Sequence, residues 1–156
     1  MADLKPILLV EDNPNDLELT LAALAENHLA NEVVVVRDGA EALDYLYGRG
    51  VFRLRAKGNP AVVLMDLKLP KVDGLQVLEQ IKKDPELQTM PVVMLTSSRE
   101  EQDLLRSYTL GVNAYVVKPV DFVEFADAIK ELGLFWAVIN RPPPGSVVPR
   151  WGAGSR

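Results

Sequence analysis

Five short apolar runs punctuate the chain, at residues 7–10, 33–36, 61–65, 92–95 and 114–117. Each is rich in β-branched residues and continuous, without a polar residue at every second position. That pattern predicts strands buried on both faces of a parallel sheet. The segments between the runs carry apolar residues at helical spacing and open with start signals. Asn13-Pro14 offers a cap and a proline at the first helical position, and Leu17, Leu21 and Leu24 follow along one face. Asp38-x-x-Glu41, Asp73-x-x-Gln76, Ser98-x-x-Glu101 and Asp121-x-x-Glu124 have the form of capping boxes or their Asp-capped variant. Phe122, Phe125, Ile129 and Leu132 then give a fifth helix its apolar stripe. Five strands alternating with five helices predict a doubly wound α/β fold, its helices spread over both faces by right-handed crossovers.

Two stretches break the alternation. Residues 48–59 hold Arg49, Arg53, Arg55 and Lys57 and predict an irregular, solvated basic loop before the third strand. From about residue 140 the chain turns to Pro142-Pro-Pro144, Gly145, Pro149, Gly152 and Gly154 without an acidic residue. The expectation is one folded domain over 5–139 and a Pro/Gly-rich arm over 140–156, with no separate output domain.

Composition narrows the chemistry. The 156 residues include no cysteine, which removes disulfides, thiolate nucleophiles and Cys-bound metals together. The single histidine, His28, falls near the end of a predicted helix and reads as a solvated side chain. Seventeen basic against 22 acidic residues give a net charge of −5, the wrong sign for a DNA partner. No apolar run approaches the ~18 residues of a membrane span, and no signal-peptide pattern opens the chain. A cytoplasmic protein without a membrane partner is expected. Carboxylates, a lysine, a hydroxyl and a hard cation remain as the reactive inventory.

In an open parallel sheet the site lies beyond the carboxyl ends of the strands. Glu11-Asp12, Arg37-Asp38, Asp66, Thr96-Ser97 and Lys118-Pro119 follow the five runs in turn. In the order 2-1-3-4-5 the second strand is outermost, so Arg37 and Asp38 are bystanders and Asp38 reads as a helix cap. Glu11, Asp12 and Asp66 would repel one another unless a cation sat among them, and oxygen-only ligands favour Mg²⁺. A carboxylate beside Mg²⁺ and a lysine is a plausible nucleophile toward phosphorus. Lys118 and the Thr96 hydroxyl would then face the transferring phosphoryl oxygens.

These residues resemble the receiver domain of two-component response regulators, the CheY-like, flavodoxin-like fold. The resemblance rests on Glu11-Asp12, Asp66-Leu-Lys-Leu-Pro-Lys-Val-Asp-Gly74, Leu95-Thr-Ser97 and Tyr115-Val-Val-Lys-Pro119, and covers about residues 5–135. It implies that Asp66 accepts a phosphoryl group from the phosphohistidine of a sensor histidine kinase, without the domain being an enzyme toward other substrates. It implies Mg²⁺ held by Asp12 and Asp66, by Glu11 directly or through water, and by the backbone carbonyl of Lys68. Lys118 would pair with the phosphoryl oxygens, Thr96 would reorient toward them, Tyr115 would be the coupled aromatic switch, and Lys118–Pro119 would be a cis bond. The departures are Lys68, a long cation two residues after the acceptor, and the 48–59 loop, which lengthens the Asp12–Asp66 spacing.

Rival readings fare less well. A haloacid-dehalogenase-type phosphatase wants a second aspartate two residues after the nucleophile, where Lys68 stands, and the P-loop pattern is missing. A flavodoxin-like cofactor binder does not need the Lys–Thr–carboxylate set. A phosphorelay intermediate, or a constitutive interaction module that only binds Mg²⁺, stays open as an alternative. Past the core stripe, Gly133-Leu-Phe-Trp-Ala-Val-Ile139 adds more apolar surface than one helix end should leave in water. With the arm and the basic loop, this resembles the stand-alone response regulators paired with bacterial phytochrome kinases. That resemblance implies a phytochrome-type kinase partner, an unnamed downstream protein and a homodimer through Phe122, Leu134, Phe135 and Trp136. Such an interface would bury on the order of 1,600 Å².

Overall fold

Parallel pairing explains the unbroken apolar runs. In the computed structural model, which describes residues 5–25, 32–56, 58–97, 112, 114–118 and 123, five strands form one sheet. They are β1 (Ile7–Val10), β2 (Val33–Val36), β3 (Val62–Asp66), β4 (Val92–Thr96) and β5 (Ala114–Val117). Their order is β2-β1-β3-β4-β5, every neighbouring pair parallel, as the sequence predicts. The third and fourth strands each run one residue further than their apolar stretches, so that Asp66 and Thr96 are themselves the last strand residues.

Three helices are described: α1 (Pro14–Ala25), α2 (Gly39–Tyr47) and α3 (Gly74–Lys83). The chain moves outward from β1 to β2 through α1 and returns across β1 to β3 through α2. Right-handed crossovers therefore send these two helices to opposite faces. The core divides accordingly. Leu8, Val10, Val63, Met65 and Met94 pack with α2 and α3, whereas Ile7, Leu9, Val62, Leu64 and Leu95 pack with Leu17 and Leu24 of α1. Alternate residues of one strand thus enter two different cores, and neither register has room for a polar side chain. Full burial of a Leu, Ile or Val contributes about 1.5–3 kcal/mol, so this sheet is a rigid platform for whatever its ends carry. The helices expected to start at Ser98 and Asp121, His28, the 140–156 arm and the predicted dimer residues Phe122, Leu134, Phe135 and Trp136 lie outside the described residues.

Local signals account for the helix starts. Asn13 Oδ1 accepts from the backbone of Asn15 and Asp16, and Asp73 with Gln76 forms a complete reciprocal box on α3. On α2 the box is split. Asp38 accepts from the Glu41 N–H at 2.8 Å, but Glu41 reaches past the cap to the N–H of Arg37 at 2.7 Å.

The basic loop differs from its expectation. Gly50–Phe52 forms a short 3-10 turn, Phe52 meets the Tyr45 ring edge-on, and Arg49 pairs with Asp44 at 2.8 Å. The Arg55 guanidinium lies 4.2 Å from the centre of the Tyr45 ring and donates to the carbonyls of Tyr45 and Leu46 at the end of α2. The last carbonyls of a helix lack intrahelical donors and carry partial negative charge, so an arginine folded back on them is well placed. Arg55 is therefore committed to the protein itself, while Arg49 makes its ion pair from a side chain still more than half exposed.

Candidate phosphoacceptor site

The strand ends converge at one edge of the sheet. β1 runs into Glu11, whose N–H still pairs with the carbonyl of Val36 at 3.0 Å. β3 ends in Asp66 at the middle of the sheet, β5 runs into Lys118, and the central position of β3 brings all three side chains together. One carboxylate oxygen each from Glu11, Asp12 and Asp66 lie within 4.8 Å of one another. Glu11 is fully buried, Asp66 is 7% exposed and Asp12 is open to solvent. The Lys118 ammonium closes the group, 3.1 Å from Asp66 Oδ2, 3.3 Å from Glu11 Oε1 and 2.8 Å from Asp16 Oδ2.

Three carboxylates thus contact one ammonium, with Asp12 beside two of them, and the imbalance registers on Glu11. Burial, then a hydrogen bond and repulsion from Asp66, push its carboxyl from 4.5 up to about 7, against the opposing pull of Lys118. The Glu11 carboxyl accordingly holds its proton toward neutrality. Burial alone would lower the lysine, but hydrogen bonding to Asp16 and the charges of Asp66 and Glu11 raise it instead. Lys118 is a permanent cation here. Oxygen-only donors with excess negative charge fit a hard divalent cation, and Glu11, Asp12 and Asp66 are the residues that could hold one.

The β3–α3 loop is built tightly against Asp66. A Cβ on Gly74 would stand 2.4 Å from the carbonyl oxygen of Asp66 and 2.6 Å from that of Leu67, so only glycine lets α3 start so close to the strand end. Lys71 occupies the left-handed region at φ 65° and lies 3.5 Å from Asp38. Gly39 abuts Val72 so closely that a Cβ would meet its carbonyl oxygen at 1.8 Å. Through these contacts Asp38, set apart from the carboxylate cluster, still braces the loop that follows Asp66.

The remaining expected residues fall as follows. Thr96 ends β4 in register with Val117, and its side chain lies outside the described residues. Tyr115 is half-buried on β5, packed against the core on the α2–α3 side. Lys68 is exposed. Pro119 lies outside the described residues, and the cis bond with it. Asp16, the tightest partner of Lys118, was missed by sequence reasoning, because an acidic residue in a first helical turn already has an explanation in the helix dipole.

A central buried aspartate, flanked by an acidic pair and an invading lysine at the carboxyl edge of a 2-1-3-4-5 sheet, defines a receiver. The response regulator receiver domain family matches residues 7–130, and the chain belongs to that family. Among solved structures it is similar to the bacteriophytochrome response regulator AtBRR, 66% identical, TM-score 0.85, covering 90% of this chain and 100% of that one. It is also similar to the phosphorylated cyanobacterial phytochrome response regulator RcpA, 43% identical, TM-score 0.68, covering 86% and 94%. Response regulator Rcp1 of Synechocystis sp. is 37% identical over 132 residues, 85% of this chain and 88% of that protein. The Mn²⁺-bound form of Rcp1 superposes with TM-score 0.67 over 93% of this chain and 99% of that one. Such domains act in two-component signalling rather than as enzymes. Among the described residues, no helix is long and apolar enough to cross a membrane.

Proposed function

We propose that the chain is a response regulator that takes a phosphoryl group on Asp66 from the phosphohistidine of a phytochrome-type sensor kinase in the cytoplasm. An Asp66 oxygen forms the new bond to phosphorus as the bond to the histidine nitrogen breaks. The carrying observation is the position of the Asp66 carboxylate: nearly buried, 3.1 Å from the Lys118 ammonium and beside the Glu11 and Asp12 carboxylates. Asp12, Asp66 and Glu11, with the Lys68 carbonyl, would hold Mg²⁺, which supplies charge neutralisation for the transfer. Likeness to a phosphorylated relative, to an Mn²⁺-bound one and to bacteriophytochrome response regulators supports the acceptor, the cation and the kinase class respectively. Thr96 and Tyr115 are the switch residues. The added charge of about −1.5 to −2 at Asp66 biases Thr96 inward and Tyr115 toward burial, and turns phosphorylation into a protein–protein signal. The receiver spans residues 5–139, and the 140–156 arm with Phe122, Leu134, Phe135 and Trp136 mediates a homodimer.

Acetyl phosphate with Mg²⁺ tests the acceptor. The wild type gains an acid-stable, base-labile phosphoryl group and Asp66→Asn gains none while keeping its circular dichroism; incorporation at wild-type level in the variant refutes the assignment. Transfer from a phosphorylated bacteriophytochrome kinase tests the partner, and sedimentation as a monomer at tens of micromolar in both states refutes the dimer.

A further inference from the structure

Asp16 stands outside the Glu11–Asp12–Asp66 cluster, yet it makes the shortest contact to Lys118, 2.8 Å against 3.1 and 3.3 Å. Its availability follows from how α1 begins. In a capping box the third helical residue turns back to the N–H of the cap residue. Here that N–H, on Asn13, donates to Glu11 Oε2 at 3.3 Å instead. Asn13 Oδ1 in turn accepts from the Asp16 N–H at 3.0 Å, which fixes the Asp16 backbone. The Asp16 carboxylate, excused from capping and seated in the first turn of α1, points to the lysine. One buried carboxylate thus supplies the missing cap and frees another to hold the catalytic cation.

We propose that Asp16 is a positioning residue that holds the Lys118 ammonium in the unphosphorylated protein and yields it to the phosphoryl oxygens. The inference rests on Asp66 being the phosphoacceptor. Lys118 already touches Asp66, so the exchange needs only a local shift of the ammonium away from α1. Asp16 is a third exposed, unlike Glu11, so solvent compensates the carboxylate once the lysine leaves. The contact therefore opposes occupation of the acceptor by a modest amount and sets how readily Lys118 changes partners.

The test titrates the full chain with beryllofluoride in saturating Mg²⁺, followed by ¹⁹F NMR. Asp16→Asn keeps the shape and removes the charge, and it should bind the mimic about five- to tenfold more tightly, the range of a partly exposed charged contact. Asp16→Glu, which keeps the charge, should bind like the wild type. Glu18→Gln removes the same charge from the exposed side of the same helix, away from the described partners of Lys118, and should leave affinity unchanged. Unchanged or weaker binding by Asp16→Asn overturns the proposal, as does an equal gain in Glu18→Gln, which would mark a general charge effect. Absence of any bound signal in the wild type would instead refute the phosphoacceptor reading.

Discussion

Glu11→Gln isolates the electrostatic tension at the sheet edge. In the folded protein the carboxyl, pushed from 4.5 up to about 7 by burial and then by Asp66, keeps its proton through a pH range in which the unfolded chain has lost it. The folded state binds more protons there, so stability is fully present below pH 4.5 and falls as pH rises through 7. At 1.36 kcal/mol per pH unit, the step from 4.5 to about 7 bounds this loss at about 3 kcal/mol. Glutamine has the same shape and cannot ionise, so the variant escapes the loss. Urea unfolding of both proteins at half-unit intervals from pH 4.5 to 8, in chelator, should show the variant gaining on the wild type by up to about 3 kcal/mol. The gain should be complete by pH 8. Saturating Mg²⁺ should narrow the gap at high pH, because a bound cation favours the ionised glutamate. Parallel stability curves would refute the reasoning, since they would mean that Glu11 titrates alike in the folded and unfolded chains.

Two further substitutions probe the loop after Asp66. Gly74→Ala drives a methyl group into the carbonyls of Asp66 and Leu67, so it should cost about 1–3 kcal/mol in urea unfolding and slow acetyl phosphate incorporation in the protein that remains folded. Lys71→Gly removes a side chain from a left-handed residue, a relief of about 1 kcal/mol against loss of an ion pair whose lysine is mostly exposed and whose Asp38 is buried; a net rise in the unfolding midpoint is expected, and a fall would show the Asp38 contact to be the stronger term.

The fold was legible because its signals are redundant. Continuous β-branched runs demand two-sided burial, and each described helix begins at a cap that the sequence displays, as with Asp73 and Gln76. The clustering of Glu11, Asp12, Asp66 and Lys118 was legible for a different reason: strand-end residues need only the strand order to be brought together. What escaped depends on side-chain direction. Arg55 was expected in solvent and folds onto the end of α2, because stacking on the Tyr45 ring together with the carbonyls of Tyr45 and Leu46 outcompetes hydration in a way no spacing encodes. Asp16 escaped because its contact with Lys118 spans 102 positions and depends on Glu11 taking over the cap. Lys71 escaped because a lysine gives no hint that its backbone is left-handed.

The anchoring of Arg55 on α2 has a consequence for how such a chain can diversify. The 48–59 insertion enters β3 at Val62, whereas Asp66 stands at the other end of the same strand, roughly 13 Å away at 3.3 Å per residue. Because the arginine ties the insertion to the helix before it, its added residues hang from that end without loosening the strand. Substitutions among the outward positions Val51, Arg53 and Leu54 can therefore accumulate under selection for new contacts while the reacting end stays unchanged. The insertion is a place where related chains can drift apart in recognition and still keep a common chemistry.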